Sequence, residues 1–165
     1  MELNKTNIVA LEDNIIMESC INHFIDTLTD YMSANNLSVK EFSKKIDCDN
    51  SCVIKWFNGY NQPSLEYVIM VADKLGISVD YLLGLSESAD KLEVNSIATF
   101  QDRIQTFTYK TNISKNKLAA ICGVTSSTVS KWILRKQLPK PDTAVKLATF
   151  FGCSLDYLLA RTDIM

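Results

Sequence analysis

Proline and glycine are scarce in this chain, three and five among 165 residues, and histidine occurs once. With 47% apolar residues, that scarcity excludes collagen-like and low-complexity chains and points to a compact globular protein. No apolar run reaches the length of a membrane span. The first residues, with Glu2, Glu12, Asp13 and Glu18 against Lys5, lack the apolar core of a signal peptide. A cytoplasmic protein is expected. The five cysteines (Cys20, Cys48, Cys52, Cys122, Cys153) are odd in number and contain no CxxC pair. Reduced thiols are therefore expected, not a disulfide framework or a zinc site. A phosphate-cradling glycine loop, a nucleophile elbow and a metal-ligand cluster are all missing. No partner constellation surrounds His23, for which a surface or capping role is expected. Enzyme activity, a metal, a cofactor and a small-molecule ligand are all without support.

What the chain does contain is a second version of itself. Residues 24–84 recur as 100–160 at a constant offset of 76, with 16 identities among 61 pairs and no gap. Among the identical pairs are Phe24/Phe100, Asn36/Asn112, Ser38/Ser114, Val53/Val129, Trp56/Trp132, Pro63/Pro139, Gly76/Gly152 and Tyr81/Tyr157. An ungapped register means equal loop lengths, so each repeat is a self-contained folding unit. The expected layout is an N-terminal tail with a possible helix extension (1–23), a first domain (24–84), a linker (85–99) and a second domain (100–160). Residues 1–10 read as a loose tail. The repeats differ in charge: five lysines against eight carboxylates in the first, net −3, and nine basic residues against three aspartates in the second, net +6. Such divergence points to different partners.

Apolar residues Ile21, Phe24, Ile25 and Leu28, and likewise Ile97, Phe100, Ile104 and Phe107, recur at helical spacing. Ser38 and Ser114 are suited to cap a second helix. That helix ends at Asp47 or Gly123, residue types that tolerate a left-handed turn. Asp49 and Thr125 cap a third helix, ending near Asn58-Gly59 or Leu134-Arg135. A proline-bearing loop follows. A fourth helix stops at Gly76 or Gly152, and Ser78 or Ser154 caps a short fifth. Nothing alternates with period two long enough to make a strand. The expected fold is all-α, with five helices per repeat. Trp56 and Trp132, on the buried side of the third helix, read as core. Phe57 and Ile133 read as extra core or an apolar patch.

Two short helices around a tight turn, the second carrying short polar and basic side chains outward, form a helix-turn-helix arrangement. A helix fits the major groove, hydroxyls reach base edges, and lysines pair with phosphates or guanine. Segments 37–84 and 113–156 resemble the phage repressor/Cro-like (XRE-type) family of transcriptional regulators. The matching features are the small residue of helix two (Ser43, Ala119), the turn residue, the aliphatic and Trp of helix three, the proline seven residues on, and the closing S-x-D-Y-L-L. The resemblance implies two tandem lambda-repressor-like domains, with double-stranded DNA as partner and helix three as reader. It places Ser126, Ser127, Thr128, Ser130 and Lys131 on the groove side of the second repeat. Lys115, Arg135, Lys136 and Lys140 fall at phosphate-contacting positions, and Arg103 at a basic position of helix one on the same electropositive, DNA-binding face. In the first repeat it places Lys40, Asn50, Ser51, Lys55, Asn61 and Gln62. There Asp47, Asp49, Thr27 and Ile54 depart from the pattern, and carboxylates beside a reading helix oppose phosphate binding. The expectation is a nucleoid-associated regulator of repressor type. Its second repeat reads DNA, and its first is a second reader or a dimerisation unit of a homodimer. An antitoxin or anti-repressor that grips proteins is the alternative.

Overall fold

The computed structural model describes residues 5–89, 96–135 and 137–165, with side chains from Glu18 onward. The described residues hold ten helices and no strand. The first five are α1 (Lys5–Ala34), α2 (Val39–Lys45), α3 (Asn50–Phe57), α4 (Leu65–Leu75) and α5 (Val79–Leu82). The second five are α6 (Phe100–Thr111), α7 (Lys115–Cys122), α8 (Ser126–Leu134), α9 (Pro141–Phe151) and α10 (Leu155–Leu158). They fall into two compact units that divide after Asp90. No helix among the described residues is long and apolar enough to cross a membrane.

Local chemistry sets most helix ends. The side chains of Ser38, Asp49, Ser78, Ser114, Thr125 and Ser154 each accept a backbone N–H of the helix that follows. Such a cap contributes about 1 kcal/mol. Ser38 is part of a capping box, its own N–H donating to Glu41 Oε2 at 2.8 Å. Hydrogen bonds from Ser38 hold the Glu41 carboxyl below its ordinary value. The turn between the second and third helices is left-handed in both units, at Asp47 (φ 59) and Gly123 (φ 66).

Two helix starts differ from expectation. Residues 5–10, read as a loose tail, belong to α1. The apolar stripe expected to open α6 at Ile97 begins only at Phe100. A capping box of Thr99 and Asp102 satisfies the first N–H groups there and ends the helix, leaving Ile97 outside it and fully exposed. Position 23, aligned with Thr99, carries His23, and α1 runs straight through it.

Both tryptophans are core, as their helix position implied. Trp56 is buried between the rings of Phe24 and Tyr67, edge-on at 5.9 and 5.2 Å. Trp132 is fully buried beside Val129 on one face of α8. The second unit adds a Phe107–Phe151 stack at 4.4 Å. Phe57 and Ile133 are half-buried.

Beyond the shared core, the units close differently. In the first, His23, expected at the surface or as a cap, is half-buried: it packs edge-on against Tyr81 and over Gly84, and its Nε2 is buried without a hydrogen-bond partner. Gly84 has φ +72, and a methyl group there would meet His23 Cγ at 2.7 Å. The aligned pair in the second unit is Thr99 and Ala160, and Ala160 adopts the same left-handed conformation (φ 59). Gly84→Ala should therefore lower the stability of the first unit by about 1–2 kcal/mol through left-handed strain alone, with the His23 clash adding to it. Combining it with His23→Thr, which recreates the pair at 99 and 160, should recover part of the loss. Urea unfolding of both variants checks this, and a double variant no better than the single would contradict it.

Candidate nucleic-acid interface

In the second unit α7, the left-handed turn at Gly123 and α8 form one packed helix-turn-helix. Leu118, Ala119 and Cys122 of α7 and Val129 and Trp132 of α8 are buried. Turning these apolar residues inward leaves Ser127, Lys131 and Leu134 exposed at helical spacing along α8, with Ser130 half-buried on its shoulder. Leu134 is 71% exposed at the far end of the stripe.

The hydroxyls at the start of α8 are oriented by neighbours. Ser126 Oγ donates to Asn116 Oδ1 at 2.5 Å, tying the first turn of α7 to that of α8. Thr128 Oγ1 lies 3.0 Å from the Thr125 hydroxyl that caps the helix. At the other end Gln105 Nε2 of α6 donates to the Ile133 carbonyl at 3.3 Å. Such bonds hold the helix in one orientation before a ligand arrives. Asn116 and Gln105 were not among the residues expected at the site. For Asn116 the repeat held a signal, because it aligns with Lys40, which was expected there.

The basic residues divide into two groups. Lys115 opens α7, Arg135 closes α8 and Lys140 precedes Pro141 at the start of α9, and all three are exposed. Lys136 lies outside the described residues. Arg103, expected on the electropositive face, is instead engaged within the unit. Its side chain is only 15% exposed and bonds to Asp163, with the Thr162 carbonyl and Ser96 Oγ at 3.4 Å. Its guanidinium lies 3.9 Å over the ring of Tyr157. Ser96 Oγ donates to Asp163 as well, at 2.7 Å, and these hydrogen bonds with Arg103 hold the Asp163 carboxyl below its ordinary value. Arg103 thus fastens α6 to the chain beyond α10 and is not free to meet a phosphate. The sequence could not show this, because Asp163 is 60 positions away and outside the repeat.

The matching face of the first unit has different chemistry. Lys40, Ser51, Lys55, Asn61 and Gln62 are exposed. Asn50, aligned with Ser126, is half-buried, and its Oδ1 is buried without a partner, so the bond joining α7 to α8 has no counterpart there. Ile54 (41% exposed) takes the place of Ser130, and Tyr60 (78%) that of Lys136. The Asp47 side chain is largely exposed, 3.9 Å from Lys74. Asp49 Oδ1 accepts the Ser51 N–H at 2.8 Å, and hydrogen bonds from Ser51 hold its carboxyl below the ordinary value, so it stays anionic at neutral pH.

No group of side chains suited to hold a metal ion occurs among the described residues. A family model described as helix-turn-helix matches the chain twice, at residues 30–82 and 110–158, one match within each of the two units. No curated protein and no solved structure matches the chain.

Proposed function

The chain belongs to the helix-turn-helix family of XRE/Cro-C1 type, DNA-binding regulators, and on that premise we propose that it is a sequence-specific transcriptional repressor reading the major groove with α8. The observation that carries this reading is the outward stripe of α8. Ser127, Ser130 and Lys131 lie opposite the buried Val129 and Trp132, and are flanked by exposed Lys115, Arg135 and Lys140 in a repeat of net charge +6. Short hydroxyls and a lysine suit base edges, and the flanking cations suit phosphates. Position in the sequence adds Lys136 to the phosphate group, and Ser126 and Thr128 support the reading helix from its N-terminus.

The first repeat is assigned to pairing two chains, so that two basic repeats meet half-sites about one helical turn apart. Ile54 and Tyr60 support this, being exposed apolar residues at positions that are Ser130 and Lys136 in the second repeat. The same two residues favour the second reading, a module that grips other proteins as an antitoxin or anti-repressor does. If the first repeat instead reads DNA, Lys40, Asn50, Ser51, Lys55, Asn61 and Gln62 are its contacts.

The test is selection of duplex fragments by the full chain, followed by affinity measured across a salt series. A sequence optimum together with a steep fall in affinity as salt rises is expected. Salt dependence without an optimum would indicate non-specific coating of DNA, and absence of both would favour the protein-gripping module. Two chains per selected site is the expected stoichiometry.

A further inference from the structure

Two thiols stand at the entry to α3. Cys48 immediately precedes the capping residue Asp49, and Cys52 lies in the first turn of the helix. The Asp49 carbonyl curls the chain between them, accepting from Cys52 N at 3.0 Å and Val53 N at 3.2 Å, while Cys48 N is held by the Ser43 carbonyl at 2.9 Å. Both side chains are half-buried, whereas Cys20 and Cys122 are buried and Cys153 lies in the other unit. The Cys48 and Cys52 thiols lie near enough to perturb one another, and Cys52 stands beside the Tyr67 phenol. Burial, followed by the charge of an ionised Cys52, pushes the Cys48 thiol up to about 11. Cys48 therefore stays a thiol at neutral pH. The aligned residues in the second repeat are Val124 and Thr128, so this pair is peculiar to the first.

We propose that Cys48 and Cys52 are a modification site, a dithiol that a hydroperoxide closes to a reversible disulfide across the first turn of α3. The Cys52 thiolate attacks the outer oxygen of hydrogen peroxide, the O–O bond breaks, and hydroxide leaves to become water with the proton Cys52 has shed. Cys52 is then a sulfenic acid. The Cys48 sulfur attacks the Cys52 sulfur, the S–O bond breaks, and the departing oxygen takes the Cys48 proton as a second water. Two thiols and one peroxide give one disulfide and two waters, the peroxide being the two-electron oxidant. The sulfurs must close to about 2.05 Å, across the single turn of chain that the Asp49 carbonyl curls between them. The bond would tether the α2–α3 turn to the helix carrying Asn50, Ser51 and Ile54. Any effect on a partner rests on the first-repeat contact surface described above, but the thiol chemistry does not.

The test treats the reduced full chain with one equivalent of hydrogen peroxide, alkylates it, and digests it with trypsin. Both cysteines then fall in the peptide 46–55, between Lys45 and Lys55. The peptide should be lighter by two hydrogens and carry no alkyl group, and prior thiol reductant should restore both alkyl groups. In Cys48→Ser the same dose should leave a Cys52 sulfenic acid that dimedone captures. A wild-type peptide that keeps both alkyl groups, or carries sulfinic acid instead of the bridge, overturns the proposal. The readout is a mass, so its failure is distinct from failure of the DNA assignment.

Discussion

Arg161→Ala should remove roughly 3–5 kcal/mol from the stability of the second unit, the cost of stranding one member of a buried ion pair. Arg161 and Asp156 are 4% and 2% exposed, and the Arg161 guanidinium bonds directly to the Asp156 carboxylate. The Arg161 backbone N–H also donates to the Asp156 carbonyl at 2.8 Å, which fixes the turn after α10. Truncating the arginine leaves a carboxylate where water does not reach. A unit of this size has a total stability of only about 4–11 kcal/mol, so the loss is a large share of it. Thermal unfolding should show one transition shifted far down, and operator binding should fail at temperatures where the first unit is still folded. Replacing both residues by apolar ones of similar volume, Asp156→Leu with Arg161→Met, should be much milder, because no charge is then stranded. If the single and double variants lose the same amount, the pair does not act through its charges.

Lys131→Ala should weaken binding to the selected operator by on the order of 1–3 kcal/mol, roughly 5- to 150-fold, and relax the preference at one base pair. Lys131 is exposed on the outward stripe of α8, while its neighbours Val129 and Trp132 are in the core, so the variant should keep its fold. Lysines that meet only phosphate behave differently. Lys140→Ala, at the start of α9, should weaken all sequences alike and reduce the salt slope by about one. The aligned change Lys55→Ala is the internal comparison, since the two lysines share a position in the repeat. A small effect there is expected if the first repeat pairs chains. Equal losses at Lys55 and Lys131 would instead make both repeats readers. An unchanged operator affinity for Lys131→Ala would remove α8 from the reading role.

Much of the architecture was legible in the chain because its determinants are local. A serine or threonine hydroxyl caps the helix it precedes, so Ser38, Ser78, Ser114, Ser154 and Thr125 mark helix starts in the sequence itself. The left-handed turn at Asp47 and Gly123 was readable for the same reason. Burial of Trp56 and Trp132 followed from their place on an amphipathic helix. Where expectation failed, a polar partner decided, near at hand for Ile97 and distant for Arg103. Ile97 fitted an apolar stripe, but the box formed by Thr99 and Asp102 begins the helix after it. Arg103 carries the charge expected of a DNA-facing residue of helix one, yet Asp163 and the Tyr157 ring hold its guanidinium.

By itself, then, the sequence determined the repeat, its helical period, its caps and the unequal charge of its halves, all of which depend on residues within a turn of one another or on simple counting. Only the tertiary structure decided which polar groups remain available. It paired Ser126 with Asn116, left the Asn50 side-chain oxygen buried and unpaired, and joined Asp156 to Arg161. It also brought the Cys48 and Cys52 thiols together across one helical turn. A side chain's chemistry is written in the chain, but whether it faces water, a phosphate or a partner depends on groups that only folding brings near.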